Sequence, residues 1–414
     1  MDRKTIILKE QQRLNDSDKA YVDSLNLSYS SGEKKSIPPY LGLSHDGWSS
    51  YFVGCSWLKE GEIPFIVHPK IENIDYWSIF TEAYVMGIDP DYFQSSYAIR
   101  FDTPPIEDST LNSVITPLLI VHFLSVMRRL LAKGLKRNYV SREENLNNKV
   151  KGHIVLLKNF QRNVLHCHYE RTICRFCEYD YDCPENRLLK RAILAAEVLS
   201  QSFDIHDNTM LSIVRHQLQA FTEVNADVSP YSVKSMRSDK LHSDYPEAIR
   251  LAKRVLLRAD YALAERSENY SSVPEFVVDM SKIFEFYVLG LLRQMYKGSD
   301  ILFQKSVGIM GRCDYLIPNQ CLIVDAKYKL NYPIKDTETL RADIREVTGY
   351  SRSDVVRKLL NVNDEREIRC LIIYPDKNGL SQFHADKLTN VLAYIKPIEG
   401  VHNVFTLGIS VPTL

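Results

Sequence analysis

The stretch Gly311-Arg-Cys-Asp-Tyr-Leu-Ile-Pro-Asn-Gln-Cys-Leu-Ile-Val-Asp-Ala-Lys-Tyr-Lys329 constrains the fold more than any other part of the sequence. Pro318-Asn319 is a turn pair between two β-type runs, so the segment predicts an antiparallel hairpin. Side chains alternate along a strand, which puts Asp325 and Lys327 on one face, about 7 Å apart. Asp314 on the partner strand then falls opposite or diagonal to Asp325. Two carboxylates and an ammonium beside the apolar run Leu322-Ile-Val324 are costly to bury unless something compensates them.

A hard divalent cation, Mg²⁺ or Mn²⁺, supplies that compensation, because it takes one or two carboxylates together with waters and phosphate oxygens. It can also lower the pKa of a bound water and steady the charge on a phosphate under in-line attack. Lys327 would orient or deprotonate that water, or neutralise developing charge. Glu285 is a third acid, set mid-helix in Met280-Ser-Lys-Ile-Phe-Glu-Phe-Tyr-Val-Leu-Gly290 among the apolar neighbours Val288, Leu289 and Leu292. The expected metal ligands are therefore Glu285, Asp314 and Asp325, with Lys327 completing the catalytic set. An Asp-x-Lys alone on a strand is more often a solvated ion pair. The helix glutamate, the first-strand aspartate, the turn, the apolar strand and Asp325-Ala-Lys327 together are much harder to obtain by chance, and they point to metal-assisted phosphodiester hydrolysis.

A chain of 414 residues and 47.8 kDa suggests two or three domains. Its 45% hydrophobic and 25% charged residues exclude a disordered or collagen-like chain. The predicted class is α+β multidomain. Residues 1–110 read as a β-rich N-terminal module, with β-type runs at Tyr51-Phe-Val-Gly54 and Ile63–Val67. Residues 111–265 read as a mostly helical middle domain: a helical run from Pro117 to Lys133 ending at Gly134, a helix after Pro184, and helices over 209–221 and 246–265. The polar, Pro-terminated segment Arg266–Pro274 marks a boundary. Residues 275–414 read as an α/β domain: a long helix over about 276–297, strands near 301–307, 312–317 and 321–328, a helix near 338–360, and strands at Arg369–Tyr374 and near 403–409.

No stretch approaches the roughly 20 apolar residues of a membrane span; the best run, Pro117–Leu124, has the length of a core helix. With no apolar leader followed by a small-residue cleavage site, the expected location is cytoplasmic, away from membranes. Four of the eight cysteines crowd between Cys167 and Cys183, and Cys174-x-x-Cys177 invites a zinc reading. The run Thr172–Asp182 alternates like a strand, however, so Cys174 and Cys177 would face opposite ways, and zinc is not expected.

The charge is the odd item: 52 Lys+Arg against 52 Asp+Glu, net zero. A nucleic-acid footprint must therefore be local. Residues 125–153 hold eight basic side chains and two acids, a balance of +6. Arg128, Arg129, Lys133, Lys136 and Arg137 are the candidates for DNA phosphate contact, against the plain alternative of a solvated face or an acidic partner surface.

The helix glutamate, strand aspartate and (D/E)xK pattern resembles the PD-(D/E)XK nuclease superfamily. Val53-Gly54, His68-Pro-Lys-Ile71, Lys133-Gly-Leu-Lys-Arg-Asn-Tyr-Val140, Val150-Lys-Gly-His-Ile154, Asp182-Cys-Pro-Glu-Asn-Arg-Leu-Leu-Lys190 and Asp279–Glu285 are similar to successive motifs of the McrC family. Asp325-Ala-Lys-Tyr-Lys329, Asp343-Ile-Arg-Glu-Val-Thr-Gly-Tyr350 and Ile372-Ile-Tyr-Pro375 continue in the same order. The resemblance implies a C-terminal PD-(D/E)XK nuclease domain and a subunit of a McrBC-type restriction system that cuts double-stranded DNA. It implies an N-terminal module that engages a McrB-like AAA+ GTPase ring and stimulates its hydrolysis; dimerisation through the nuclease domain is a further expectation. No Gly-x-x-x-x-Gly-Lys-Ser/Thr loop occurs here, so the motor would be another chain. Many relatives carry Gln where this chain has Glu346, four residues before Tyr350. The alternative from another class is a non-catalytic regulatory subunit that activates the motor and holds DNA.

Overall fold

The computed structural model describes residues 4–27, 38–108, 110–201, 209–233, 242–268, 272–296, 300–330, 332, 337–362, 367–380 and 395–413. The chain forms two compact units: residues 1–118 with 270–414, and residues 119–269. The expected division into 1–110, 111–265 and 275–414 thus joins differently, with both ends of the chain in one unit. Residues 269–271 of the expected boundary lie outside the described residues.

In the first unit, β1 (Ile6–Lys9), β2 (Phe52–Lys59), β3 (Ile63–His68) and β4 (Tyr97–Arg100) belong to a five-stranded sheet, flanked by α1 (Asp16–Ser24), α2 (Tyr76–Val85) and α3 (Pro90–Ser96) in sequence. Its fifth strand comes from far along the chain. Residues 275–279, expected to open a helix, form a strand inserted between β2 and β4, antiparallel to both. The sequence Glu275-Phe-Val-Val-Asp279 is β-branched and aromatic, and the helix starts only where Asp279 caps it, accepting from the N–H groups of Ser281 and Lys282. Glu275 is buried at 4% exposure, and Ser56 Oγ donates to its Oε1 at 2.6 Å.

Gly54 makes this insertion feasible. It sits opposite Val277 with φ +144, and a Cβ there would lie 2.1 Å from the Phe276 carbonyl oxygen. Two short strands, β5 (Ile106–Glu107) and a partner at Ser272–Val273, pair beside it.

The second unit begins within α4 (Asn112–Lys133). This helix starts five residues before Pro117, which falls in its early turns, and ends at Gly134 with φ +91. It is long and apolar enough to span a membrane by length and composition, contrary to expectation, yet 83% of its most apolar window is buried inside the protein, as in a core helix. The middle is less helical than expected. β6 (Asn138–Asn147), β7 (His153–Ile154) and β8 (Arg171–Asp180) form a sheet ordered β6-β8-β7. β6 is polar and escapes a hydrophobic-periodicity reading, and Gly152 lets the chain return against β8, since a Cβ there would meet the Arg175 carbonyl oxygen at 2.5 Å. α5 (Leu156–Arg162), α6 (Pro184–Gln201), α7 (Thr209–Leu218) and α8 (Tyr245–Glu268) complete the unit. Asn186 is fully buried and closes its polar interior: it donates to the Lys136 and Tyr181 carbonyls, both at 2.8 Å, and accepts from the Tyr245 hydroxyl at 2.7 Å.

The remaining elements return to the first unit: β9 (Ser272–Val273), β10 (Glu275–Asp279), α9 (Met280–Met295), β11 (Leu302–Ser306), β12 (Arg312–Ile317), β13 (Leu322–Ala326), α10 (Thr337–Ser351), α11 (Asp354–Leu359), β14 (Arg369–Leu380), β15 (Ile395–Pro397) and β16 (Val404–Ile409). They build a mixed sheet ordered β11-β12-β13-β14-β16-β15. β11, β12 and β13 are antiparallel neighbours; β13, β14 and β16 run parallel, with α10 and α11 in the β13–β14 connection. Val347, Tyr350 and Val356 from these helices, with Leu360 just past the end of α11, share a core with Leu316, Ile323, Cys370 and Ile372 of the sheet.

A cluster within this unit ties the N-terminal sheet to the end of β13. Glu10 Oε1 accepts from the Tyr328 hydroxyl at 2.8 Å and from the Lys70 N–H at 2.9 Å. Lys70 Nζ lies 3.7 Å over the Tyr328 ring and donates to the Tyr328 carbonyl at 2.8 Å. Burial pushes the Lys70 ammonium down to about 8. The motif His68–Ile71 is thus part of the scaffold, and so is His68, whose Nε2 lies 2.8 Å from Asp108 Oδ2.

Gly54→Ala is expected to destabilise the protein by about 3 kcal/mol or more, because a backbone oxygen, not a flexible side chain, occupies the Cβ position. Thermal unfolding checks it: a melting temperature equal to that of the parent protein would show that β10 does not need this close approach.

Candidate active site

The Pro318-Asn319 turn does form a hairpin. β12 and β13 pair antiparallel with Tyr315 opposite Val324, Leu316 opposite Ile323 and Ile317 opposite Leu322. Continuing that register by one pair puts Asp314 opposite Asp325, and the Asp314 carboxylate takes over the ladder there: its Oδ2 accepts from the Ala326 N–H at 3.0 Å. On the other side of β12, the pairs Phe303–Tyr315 and Lys305–Cys313 bracket Gln304, which therefore faces Asp314 from β11. Gln304, Asp314 and Asp325 form one row across three adjacent strands.

Glu285 reaches the row from α9. The helix is pinned to the sheet by the buried Tyr315, whose hydroxyl donates to the Glu285 carbonyl oxygen at 2.6 Å. The Gln304 carboxamide spans the two acids, its Nε2 donating to Glu285 Oε2 at 2.7 Å and to Asp314 Oδ1 at 3.1 Å. Lys327 lies on the Asp325 side, as alternation requires, with Nζ 3.0 Å from Asp325 Oδ2 and 2.8 Å from Glu346 Oε2. The Lys327 ammonium is thus the partner of the buried Asp325 Oδ2.

Electrostatics follow from this geometry. Asp325 is 3% exposed; burial, then the charge on Asp314, raise its pKa to about 7. Burial and the neighbouring Asp314 and Asp279 lift Glu285 to about 8. Burial also raises Asp314. Lys327 moves the other way: burial lowers it, but Asp325 and Glu346 outweigh that and hold the ammonium well above its usual range. Lys327 thus stands as an ammonium between two carboxylates.

α10 supplies a supporting row. Lys329 Nζ makes two hydrogen bonds to the buried Asp343 carboxylate, at 2.9 and 2.8 Å. The Tyr350 hydroxyl lies 3.0 Å from the Arg312 carbonyl oxygen and 3.1 Å from Glu346 Oε1. Asp343, Glu346 and Tyr350 recur at helical spacing on one face, which sets Lys327 and Lys329 against that face.

Whether the donors suit a divalent cation turns on the unsatisfied charge. Among the described residues, no three His, Cys, Asp or Glu side chains already converge on a common point at ligand distance. Asp314 and Asp325 are nevertheless neighbours across two strands with Glu285 one carboxamide away, and all three are raised in pKa by burial. All-oxygen, carboxylate-rich sets of this kind suit Mg²⁺ or Mn²⁺. Gln304 was not legible from the sequence, since a lone glutamine in Leu302-Phe-Gln-Lys-Ser306 carries no motif.

The basic segment behaves differently. Arg129 and Lys133 both pair with the buried Asp244, at 2.9 and 2.6 Å, and Lys136 pairs with Glu185 at 3.2 Å. Arg142 reaches Glu178 and Asp180, and Lys151 also reaches Glu178. Arg137 lies 4.1 Å over the Tyr181 ring and is exposed; Arg128, on α4, has a further interaction of its own. Acids from later in the second unit therefore answer much of the local +6. Within β8, Cys174 is buried and Cys177 exposed, on opposite faces.

The sequence was compared with known proteins. It matches the model of the family described as McrBC 5-methylcytosine restriction system component over residues 92–354, 263 of the 414 residues. No curated protein matches it. Among solved structures it is similar to a chain of the refined half-complex from the tetradecameric assembly of Thermococcus gammatolerans McrB AAA+ hexamers with bound McrC, at 15% identity and TM-score 0.39, over 98% of this chain and 94% of that one. It is also similar to a chain of the cryo-EM structure of the Thermococcus gammatolerans McrBC complex, at 16% identity and TM-score 0.31, over 71% of this chain and 89% of that one. The family match takes in Glu285, Asp314, Asp325, Lys327, Glu346 and Tyr350, and by it the chain belongs to the family of McrBC 5-methylcytosine restriction system components.

Proposed function

We propose that this chain is the nuclease subunit of a McrBC-type restriction system, a divalent-cation-dependent endonuclease of the PD-(D/E)XK type that cleaves double-stranded DNA alongside a separate AAA+ motor. The observation that carries the reading is the row Asp314–Asp325 with Glu285 and Lys327 at its edge. Glu285, Asp314 and Asp325 would hold the cation, which when bound stabilises charge on the phosphate and acidifies a water. Lys327, fixed by Glu346, stays protonated and presents its ammonium to the attacking water or to the phosphate oxygen that gains charge. The motor reading rests on the family match and on the lack of a phosphate-binding Gly-rich loop in this sequence.

Asp314→Asn or Asp325→Asn should lower metal-dependent cleavage at least about 100-fold while leaving stimulation of the motor's NTP hydrolysis intact. Undiminished cleavage by both variants would refute the site; cleavage absent from the parent protein, with stimulation present, would favour the regulatory alternative.

Stability should also depend on pH in a characteristic direction. Asp325 and Glu285 have folded pKa values above those of the unfolded chain, so their contribution is fully favourable below about pH 4 and is lost as pH rises through about 7 to 8. Without metal, Asp325→Asn should therefore raise the melting temperature at pH 8 by about 2–4 °C, roughly 1 kcal/mol, and by less at pH 5.5. Mn²⁺ should stabilise the parent protein more at pH 8 than at pH 5.5. Calorimetric scans at the two pH values decide it, and an equal shift at both would contradict the assignment.

For phosphate contact, the exposed Arg137 is the strongest of Arg128, Arg129, Lys133, Lys136 and Arg137, because Lys136 serves Glu185. Arg137→Ala should weaken DNA binding and reduce the salt slope by about one, whereas Lys136→Ala should chiefly lower thermal stability. A salt titration unaffected by Arg137→Ala would remove this segment from the DNA-binding surface.

A further inference from the structure

Gln304 occupies a conformation that a glutamine does not choose for itself. Its φ is +50 inside β11, in the left-handed region that side chains with a Cβ rarely adopt, although the register on either side of it is regular. Nothing about strand pairing requires this, since Phe303 and Lys305 keep their partners. The carboxamide spends its two N–H donors on Glu285 Oε2 and Asp314 Oδ1, two acids from different elements. Backbone strain that persists beside charged, buried side chains is characteristic of functional sites. A carboxamide is also the one common side chain that offers two donors without charge, so it can hold two carboxylates together without neutralising either.

We propose that Gln304 is a positioning residue of the cation site, holding Glu285 and Asp314 aligned before the divalent ion arrives. This rests on the reading of Glu285, Asp314 and Asp325 as a divalent-cation site. Without the amide, the two partly buried carboxylates are free to turn apart, and the cation must reassemble them. With it, the ion meets a preformed pair, and the energy of ordering has already been supplied by folding. The left-handed backbone is what brings the amide across from β11 to α9.

The test separates strain from positioning. Glycine adopts a positive φ freely, so Gln304→Gly removes the strain together with the amide. Titration of the metal-free protein with Mn²⁺ alone, followed by calorimetry and by the electron paramagnetic resonance of the free ion, measures affinity without DNA or turnover. Gln304→Gly should bind Mn²⁺ at least about tenfold more weakly while its metal-free melting temperature is no lower than that of the parent protein. Gln304→Met, which keeps the side-chain length and the strain but lacks the donors, should show the same weakening and serves if the glycine variant folds poorly. Parent-like Mn²⁺ affinity in either folded variant overturns the inference. Asp314→Asn is the control: if the parent protein does not bind Mn²⁺, or Asp314→Asn binds it equally well, the cation-site reading itself fails, and the role of Gln304 with it.

Discussion

Everything around the site answers one constraint, keeping the buried Asp325 and the partly buried Glu285 and Asp314 within reach of one another. Three carboxylates in a poorly solvated place repel, and the protein spends much of its local architecture keeping them there. Tyr315 fastens α9 to β12 through the Glu285 carbonyl, Gln304 joins the helix acid to the strand acid, and the Ala326 N–H holds Asp314. Lys327 answers Asp325 and is itself kept in place from α10 by Glu346. These supports come from four different elements, because no single strand or helix could brace the cluster from all sides.

The frame behind the site is built with the same economy. β10 completes the N-terminal sheet and runs directly into α9, so the helix that carries Glu285 starts from the middle of another sheet, capped by Asp279. Glu10 and Lys70 then close on Tyr328, the residue after Lys327. The N-terminal sheet is therefore joined to the site's elements twice, through β10 into α9 and through Glu10 and Lys70 to Tyr328.

What could be read from the residues, and what could not, divides along physical lines. The hairpin, the facing of Asp325 and Lys327, and the register partner of Asp314 follow from turn chemistry and strand alternation, which are local rules. The strand at 275–279 was expected to be helix because its apolar residues continue into α9; only its distant partners, β2 and β4, decide otherwise, and Gly54 was the one local sign of that close approach. β6 escaped notice because its alternation is polar on both faces. Gln304 could not be found at all, since its role depends on a backbone angle and on two acids 19 and 10 positions away. Long-range pairing hides from sequence reading in each case, while short-range geometry does not.

The net charge of zero takes on a different sense beside this site. Five carboxylates, Glu285, Asp314, Asp325, Asp343 and Glu346, meet two ammonium groups, Lys327 and Lys329, so the cluster is negative when its acids are ionised. The basic segment is matched by acids of its own unit. A phosphate approaching such a site with its acids ionised is repelled. On the proposed function a divalent cation is then required before any chemistry begins, because it reverses the sign of the field that the DNA backbone meets. The same ion that would activate water would also admit the substrate, so cation affinity and DNA affinity at this site should be linked, each raising the other, without any conformational change to connect them.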